Sequence, residues 1–277
     1  MDRRCNFHTH TSRCKHATGT PLDYCEAALS AGVSVLGFSD HAPFPDGRWK
    51  TVRMAQSELP QYVADVREAQ RRYAGRVEVY LGLECEYVRG LRGYLRDELL
   101  GRQGLDYLVA AAHQYPFGGE GHWCSSFSQS RLTPAQLYAY TDYVLETLGS
   151  GLYDVLAHPD LFGMGLRHWD DDARACSQAI CQAARQQGVF LEINANGFRK
   201  PYLLDGGMVR RPYPLRPFWE VVAEEGAQAI SGSDAHRPAL VWAQMDECRA
   251  IADACGLTLA NERLAERLAA RRGGGCA

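Results

Sequence analysis

Seven short apolar runs, each followed by a stretch of helical periodicity, restrict what this chain can fold into more than any other feature. The runs fall at 4–9, 35–39, 77–83, 107–111, 155–157, 189–193 and 229–231. Helical patterns follow at 21–31, 57–73, near 94–100, 134–148, 171–187, 215–225 and 239–255. Thr20 and Thr133 stand at N-cap positions, each with proline next, and Gly32 stands where the first helix would stop. Within 57–73, Leu59, Tyr62, Val63, Val66, Ala69 and Tyr73 recur near the helical period. Such alternation requires parallel strands joined by crossover helices. Seven units predict an α/β fold, a distorted (β/α)7 TIM-like barrel forming a single domain over 1–260, with a doubly wound sheet as the competing arrangement. Residues 261–277 read as a helix end and a tail that frays after about Leu268.

Composition excludes several classes. With 277 residues and 46% apolar content the chain can bury one sizeable core. A formal net charge of −3 provides no basic field for general nucleic-acid binding. No run of 18 apolar residues marks a membrane span, and no apolar stretch after Arg3 and Arg4 marks a secretory signal. The ten cysteines include no Cys-x-x-Cys pair and read as free thiols of a cytoplasmic protein, with Cys14 and Cys124 nearest the polar motifs.

The chemistry lies at the ends of the strands. Seven of the nine histidines sit at or just after a strand's C-terminal end, where the loops of a parallel barrel share one face. The first run ends in Phe7-His8-Thr9-His10, and alternation puts His8 and His10 on one side. His16 follows in the loop. Further runs end in Asp40-His41, Leu83-Glu84, Ala112-His113, His158-Pro159 and Ser233-Asp234-Ala235-His236. Converging neutral imidazoles could not all satisfy one another by hydrogen bonds, whereas divalent metals would satisfy them. Imidazole mixed with a few carboxylates suits zinc, manganese or iron. The expected metal set is therefore His8, His10, His16, His41, Glu84, His113, His158, Asp234 and His236. Glu86 is the alternative to Glu84, since it would share its strand face. Asp40 and Asp160, beside proposed ligands, are expected to orient imidazoles from behind. The long segments 42–56, 113–132 and 194–214 follow strands and should cover the same face.

In their order and spacing, His8-Thr9-His10, Ser39-Asp40-His41, His158-Pro159-Asp160 and Ser233-Asp234-Ala235-His236 resemble the four motifs of the polymerase-and-histidinol-phosphatase (PHP) superfamily. The resemblance covers about residues 5–255. It is closest to the PHP-type histidinol-phosphate phosphatases through Arg53-Met54, Glu58-Leu59-Pro60-Gln61-Tyr62, Gly82-Leu83-Glu84, Glu192-Ile193-Asn194 and Arg199-Lys200-Pro201. It implies two or three metals: one on His8, His10, Glu84 and Asp234, a second sharing Glu84 with His113 and His158, and a third on His16, His41 and His236. It also implies hydrolysis of a small-molecule phosphate monoester by a metal-bridging hydroxide, with L-histidinol phosphate, a histidine-biosynthesis intermediate, as substrate.

Phosphate needs cations beyond the metals. Arg199 is the first candidate and Lys200 accompanies it. Arg53 and Arg211 are weaker. Arg167 is the candidate to replace the basic residue that the family often carries after His-Pro-Asp, although Gly163 and Gly165 there depart from the pattern. His122 is a candidate for touching substrate or protonating the leaving group, and His168 lies outside every motif. Competing readings are a nucleotide or nucleic-acid phosphodiesterase, a non-catalytic metal-binding barrel and a binuclear amidohydrolase. The acidic balance, the filled ligand positions and the lack of a lysine at a suitable strand end weigh against each in turn.

Overall fold

The structure, a computed structural model, describes residues 3–119, 121–128, 131–205 and 208–274. Contacts divide it into two compact units. The first runs to Val109 and takes in Gly232–Met245 and the chain from Asn261; the second comprises Ala110–Ser231 and Asp246–Ala260.

The first unit begins with β1 (Cys5–Asn6), α1 (Pro21–Ser30), β2 (Val35–His41), α2 (Leu59–Tyr73), β3 (Glu78–Cys85) and β4 (Tyr107–Ala110), whose last residue passes into the second unit. Thr20 caps α1 in a reciprocal pair with Asp23. β2 is buried along its whole length and β3 along all but its first residue, as strands covered on both faces must be. They pair in parallel from Val35 opposite Glu78 to His41 opposite Glu84, so both strands deliver a polar residue to the same end.

In the second unit, β5 (Gln114–Pro116) and β6 (Trp123–Ser125) form an antiparallel hairpin before α3 (Pro134–Gly149). Then come β7 (Val155–Leu156), α4 (Asp171–Gln187) and β8 (Phe190–Asn194). A second hairpin, β9 (Leu203–Asp205) with β10 (Met208–Arg210), precedes α5 (Arg216–Glu224) and β11 (Ala229–Gly232). The helix α6 (Met245–Ala254) follows, and α7 (Asn261–Gly274) belongs to the first unit.

The seven strands are ordered β1-β2-β3-β4-β7-β8-β11 in one sheet. Within the first unit the chain beyond β11 returns to β1. Thr9 bridges Ala235 in parallel, and the His10 N–H donates to the Ala235 carbonyl at 2.9 Å. With β1 only two residues long, side chains lace the seam: Asn6 Nδ2 donates to Ser233 Oγ at 2.7 Å, and the Ser233 N–H donates to Asn6 Oδ1 at 3.0 Å. The sheet is thus a nearly closed seven-stranded barrel, as the strand–helix alternation predicts.

Three expectations change. The helix expected over 239–255 is broken: a short 3-10 turn at Pro238–Leu240 and Gln244 with φ of 59° delay α6 to Met245. The helix expected near 94–100 is a π-helix, Tyr94–Arg102. From Leu268 to Gly274 the chain is not frayed, because α7 continues to Gly274; residues 275–277 of the expected tail lie outside the described residues. Leu264, Ala265 and Leu268 are buried, and Arg272 lies 4.1 Å over the Tyr80 ring while bonding Asp106.

Candidate metal centre

The first unit gathers seven of the nine expected ligands. His8 and His10 leave the end of β1 on one side, Glu84 lies near the end of β3, and Asp234 follows β11. His8 Nε2 and His10 Nε2 lie 3.1 Å apart. Glu84 Oε2 is 3.5 Å from each, and Asp234 Oδ1 is 3.6 Å from His8 Nε2 and 3.1 Å from His10 Nε2. A four-coordinate ion with ligands at ~2.1 Å has ligand-to-ligand edges of ~3.4 Å. Five edges of this buried cage are therefore of the length that one zinc-sized cation sets.

His16, His41 and His236 form a second group, each offering a ring nitrogen within 4.8 Å of the others. Their rings surround His10, at centroid distances of 6.5 Å, 4.4 Å and 4.2 Å respectively. His41 Nδ1 also lies 3.0 Å from Glu84 Oε2. Backbone carbonyls hold the other two: His16 Nδ1 meets the Cys14 carbonyl at 2.8 Å and His236 Nδ1 the Asp234 carbonyl at 3.1 Å. A proton held there by the carbonyl leaves the Nε2 lone pair for a metal.

Electrostatics agree with metal binding. Burial, reinforced by the charge on His10, lowers His41 well below the ordinary histidine value and His236 to about 4. Burial lowers His16 as well. These imidazoles are neutral at neutral pH, the form in which a histidine can hold a metal. His10 is the exception. Burial alone would lower it, but the Asp234, Asp40 and Glu84 carboxylates outweigh burial and raise it to about 9. Asp234 stays ionised, well below the usual carboxylate range, because His8, His10 and His236 overcome the cost of its burial.

Asp40 stands beside His10, with Oδ1 3.7 Å from Nδ1, too far for a hydrogen bond. The Thr11 and His41 backbone N–H groups, at 3.0 Å and 2.8 Å, fix the carboxylate. Glu86 is no alternative to Glu84: it forms a buried ion pair with Arg53. The same pair, with a bond from Arg53 Nη1 to the Ala42 carbonyl at 3.2 Å, places the Arg53 charge in the protein interior. Cys14 is buried beside His10 and His236, and burial pushes its thiol up to about 12.

The remaining two ligands face one another in the second unit, His113 Nε2 and His158 Nε2 being 3.1 Å apart. Glu192 stands in one of the sequence motifs, but the motif alone assigns it no role. Its buried carboxylate accepts from the His158 N–H at 3.3 Å and from Asn194 Nδ2 at 2.8 Å. The alternation Glu192-x-Asn194 was the available signal. Also unforeseen, His158 and Asp234 have φ of 32° and 46°, a region costing a non-glycine residue about 1–3 kcal/mol and tolerated mainly where function requires it.

Phe127 stacks on His113 at 5.6 Å and 23°, and the Lys200 ammonium lies 5.5 Å over the Phe127 ring. Arg199, half-buried, ends the 3-10 turn Ala195–Arg199 that follows β8. Asp160 does not orient an imidazole as expected. Its Oδ2 accepts from the Leu215 N–H at 2.5 Å and from Trp219 Nε1 at 3.2 Å, which ties the His158 loop to the start of α5. Arg167 and His168 are exposed, and exposed His122 lies in the tip of the β5–β6 hairpin. Arg211 stacks on Phe198 and Tyr202 and bonds the Phe198 carbonyl at 2.8 Å.

A barrel whose strand ends converge imidazoles and carboxylates into cation-sized cages defines a metal-dependent hydrolase class. The PHP domain family matches residues 6–196, and the chain belongs to that family. It is 35% identical over 271 residues to a probable histidinol-phosphatase of Deinococcus radiodurans, covering 94% of this chain and 96% of that one. It is 24% identical to the histidinol-phosphatase of Bacillus subtilis, covering 83% and 92%. The fold is also that of the histidinol phosphate phosphatase of Lactococcus lactis, solved with zinc, L-histidinol and phosphate. There the TM-score is 0.71 and the identity 16%, over 93% of this chain and 95% of that one. Among the described residues no helix is long and apolar enough to cross a membrane.

Proposed function

We propose that this protein is a metal-dependent phosphoric monoester hydrolase that converts L-histidinol phosphate to L-histidinol and phosphate in the cytoplasm. The observation that carries the hydrolytic reading is the cage of His8, His10, Glu84 and Asp234, with spacings that fit a divalent cation. Zinc, manganese or iron held there would supply water of lowered pKa and positive charge for phosphate oxygens. Most of the chain aligns with relatives named for this substrate, which supports the choice of ester.

The chain's own residues do the rest. Asp40 would orient the His10 ring from behind once the ring turns to a cation, and the carbonyls of Cys14 and Asp234 hold His16 and His236. Buried Glu192 braces the backbone at His158. Arg199 and Lys200 would hold the phosphate of the substrate. A guanidinium meets two phosphate oxygens at once, and an ammonium adds a point charge. Lys200 lies over Phe127, the ring that stacks on His113.

The test is phosphate release by protein loaded with manganese or zinc, over a panel of monoesters and diesters that includes L-histidinol phosphate. Strong preference for histidinol phosphate is expected. Turnover of other monoesters with histidinol phosphate untouched would discard the substrate, and absence of turnover on every ester would discard the hydrolase reading.

A further inference from the structure

The end of the first unit away from the metal cage holds a second feature that the proposed reaction does not use. Where β2 and β3 begin lies a cavity of about 630 Å³ lined by Arg3, Arg67, Arg76 and Arg272, with Glu78 on its wall and Val77 and Val79 among its apolar lining. Strand β3 starts at Glu78 and reaches Glu84 six residues later, so the cavity is ~20 Å from the cage at ~3.3 Å per residue.

Its charges are unbalanced. Arg3 pairs with Glu78 at 2.7 Å, and Arg272 pairs with Asp106. Arg67 instead donates to the Gly104 carbonyl at 2.6 Å and to Gln70 Oε1 at 2.9 Å, and Arg76 donates to the Arg72 carbonyl at 3.0 Å. The hydrogen-bond partners of Arg67 and Arg76 are neutral, so the cavity keeps two positive charges on a chain whose net charge is −3. These side chains are also held in place. Arg76 lies 4.6 Å over the buried Tyr73 ring and Arg272 4.1 Å over the buried Tyr80 ring, while Arg67 is bonded through both terminal nitrogens. Guanidinium groups held in place lose little entropy when a ligand arrives, and their planar forks match phosphate oxygens. The volume lies in the range of small-molecule pockets.

We propose that this cavity binds a small molecule carrying a phosphate group, at a site separate from the metal centre. The experiment is equilibrium dialysis of labelled inorganic phosphate against the metal-loaded protein, wild type and Arg67→Gln/Arg76→Gln, with turnover of a phosphate monoester measured in parallel. Wild type is expected to bind one more phosphate per chain than the double variant, with turnover unchanged. Should the double variant fail to fold, the exposed Arg76→Gln alone is expected to weaken that phosphate about tenfold. Equal stoichiometry and affinity in wild type and a folded variant would overturn the proposal. AMP separates the sources: displacement of this phosphate by AMP indicates an organic phosphate ligand, and retention against AMP indicates inorganic phosphate. Because the readout is the difference between wild type and variant, it stands whether or not histidinol phosphate is the substrate.

Discussion

His10 shows how much one residue of this centre carries. Its Nε2 lies 3.1 Å from both His8 Nε2 and Asp234 Oδ1, and its ring is encircled by three further imidazoles. Neither carboxylate of the cage can be removed without leaving the imidazoles short of negative charge. Glu84→Ala and Asp234→Ala should therefore each lower bound metal, read by elemental analysis, and cut phosphate release by about a hundredfold to a thousandfold, since a lost charge stabiliser in a dry site is worth ~3–4 kcal/mol. Full metal content in either variant would break the cage assignment. Arg199→Ala should behave differently. A lost charge-assisted hydrogen bond of ~1.5–3 kcal/mol should raise KM for a phosphate monoester roughly tenfold or more at constant metal content. An unchanged KM would move the phosphate clamp to another residue.

At the level of elements, most of the barrel was legible because both periods were clean. The range 171–187 reads as a helix and forms one over those residues, with Asp170 capping it and Gly188 ending it in the left-handed conformation. What local pattern could not show was tertiary override. Gln244 at φ 59° splits a helix whose periodicity ran on, and α7 persists past Leu268 because distant Tyr80 and Asp106 hold Arg272. The site follows the same rule. That imidazoles and carboxylates stand together at strand ends was legible, whereas the turning of Asp160 toward Leu215 and Trp219 depends on a segment 55 residues away. Gly82 offers a test of element-level fit. Tyr107 lies across it, donating to the Phe7 carbonyl at 2.8 Å, and a Cβ at Gly82 would come within 2.4 Å of the Tyr107 ring. Gly82→Ala should cost about 1–3 kcal/mol by overpacking and displace Glu84, two residues on. The measurement is a denaturant midpoint paired with metal content; a variant as stable as wild type would show that the ring gives way freely.

For the molecule as a whole, the cage makes stability depend on pH in opposite ways with and without metal. Removing the cation leaves His10 holding a proton, with its folded value raised to about 9 from an ordinary 6.5. A raised histidine contributes stability that is complete below pH 6.5 and is lost as pH climbs through 9. His236 acts on the other side. Its folded value, lowered to about 4 chiefly by burial, means that stability is lost as pH falls from 6.5 through 4. The stripped protein should therefore be most stable near pH 6.5 and should lose on the order of 3 kcal/mol by pH 9, at ~1.4 kcal/mol for each pH step between the unfolded and folded values of His10. With a bound cation in place of the His10 proton, that alkaline loss should vanish. Binding should add ~2.7 kcal/mol at a free metal concentration of 100 Kd, and acid should remove the gain as the ligands protonate. Thermal melts at pH 6.5 and pH 9, with metal and with chelator, decide the matter. Parallel curves for the two forms would mean that no proton is exchanged for metal at His10, whereas curves diverging toward pH 9 would tie the cage, and with it the stability of the barrel, to an occupied metal centre.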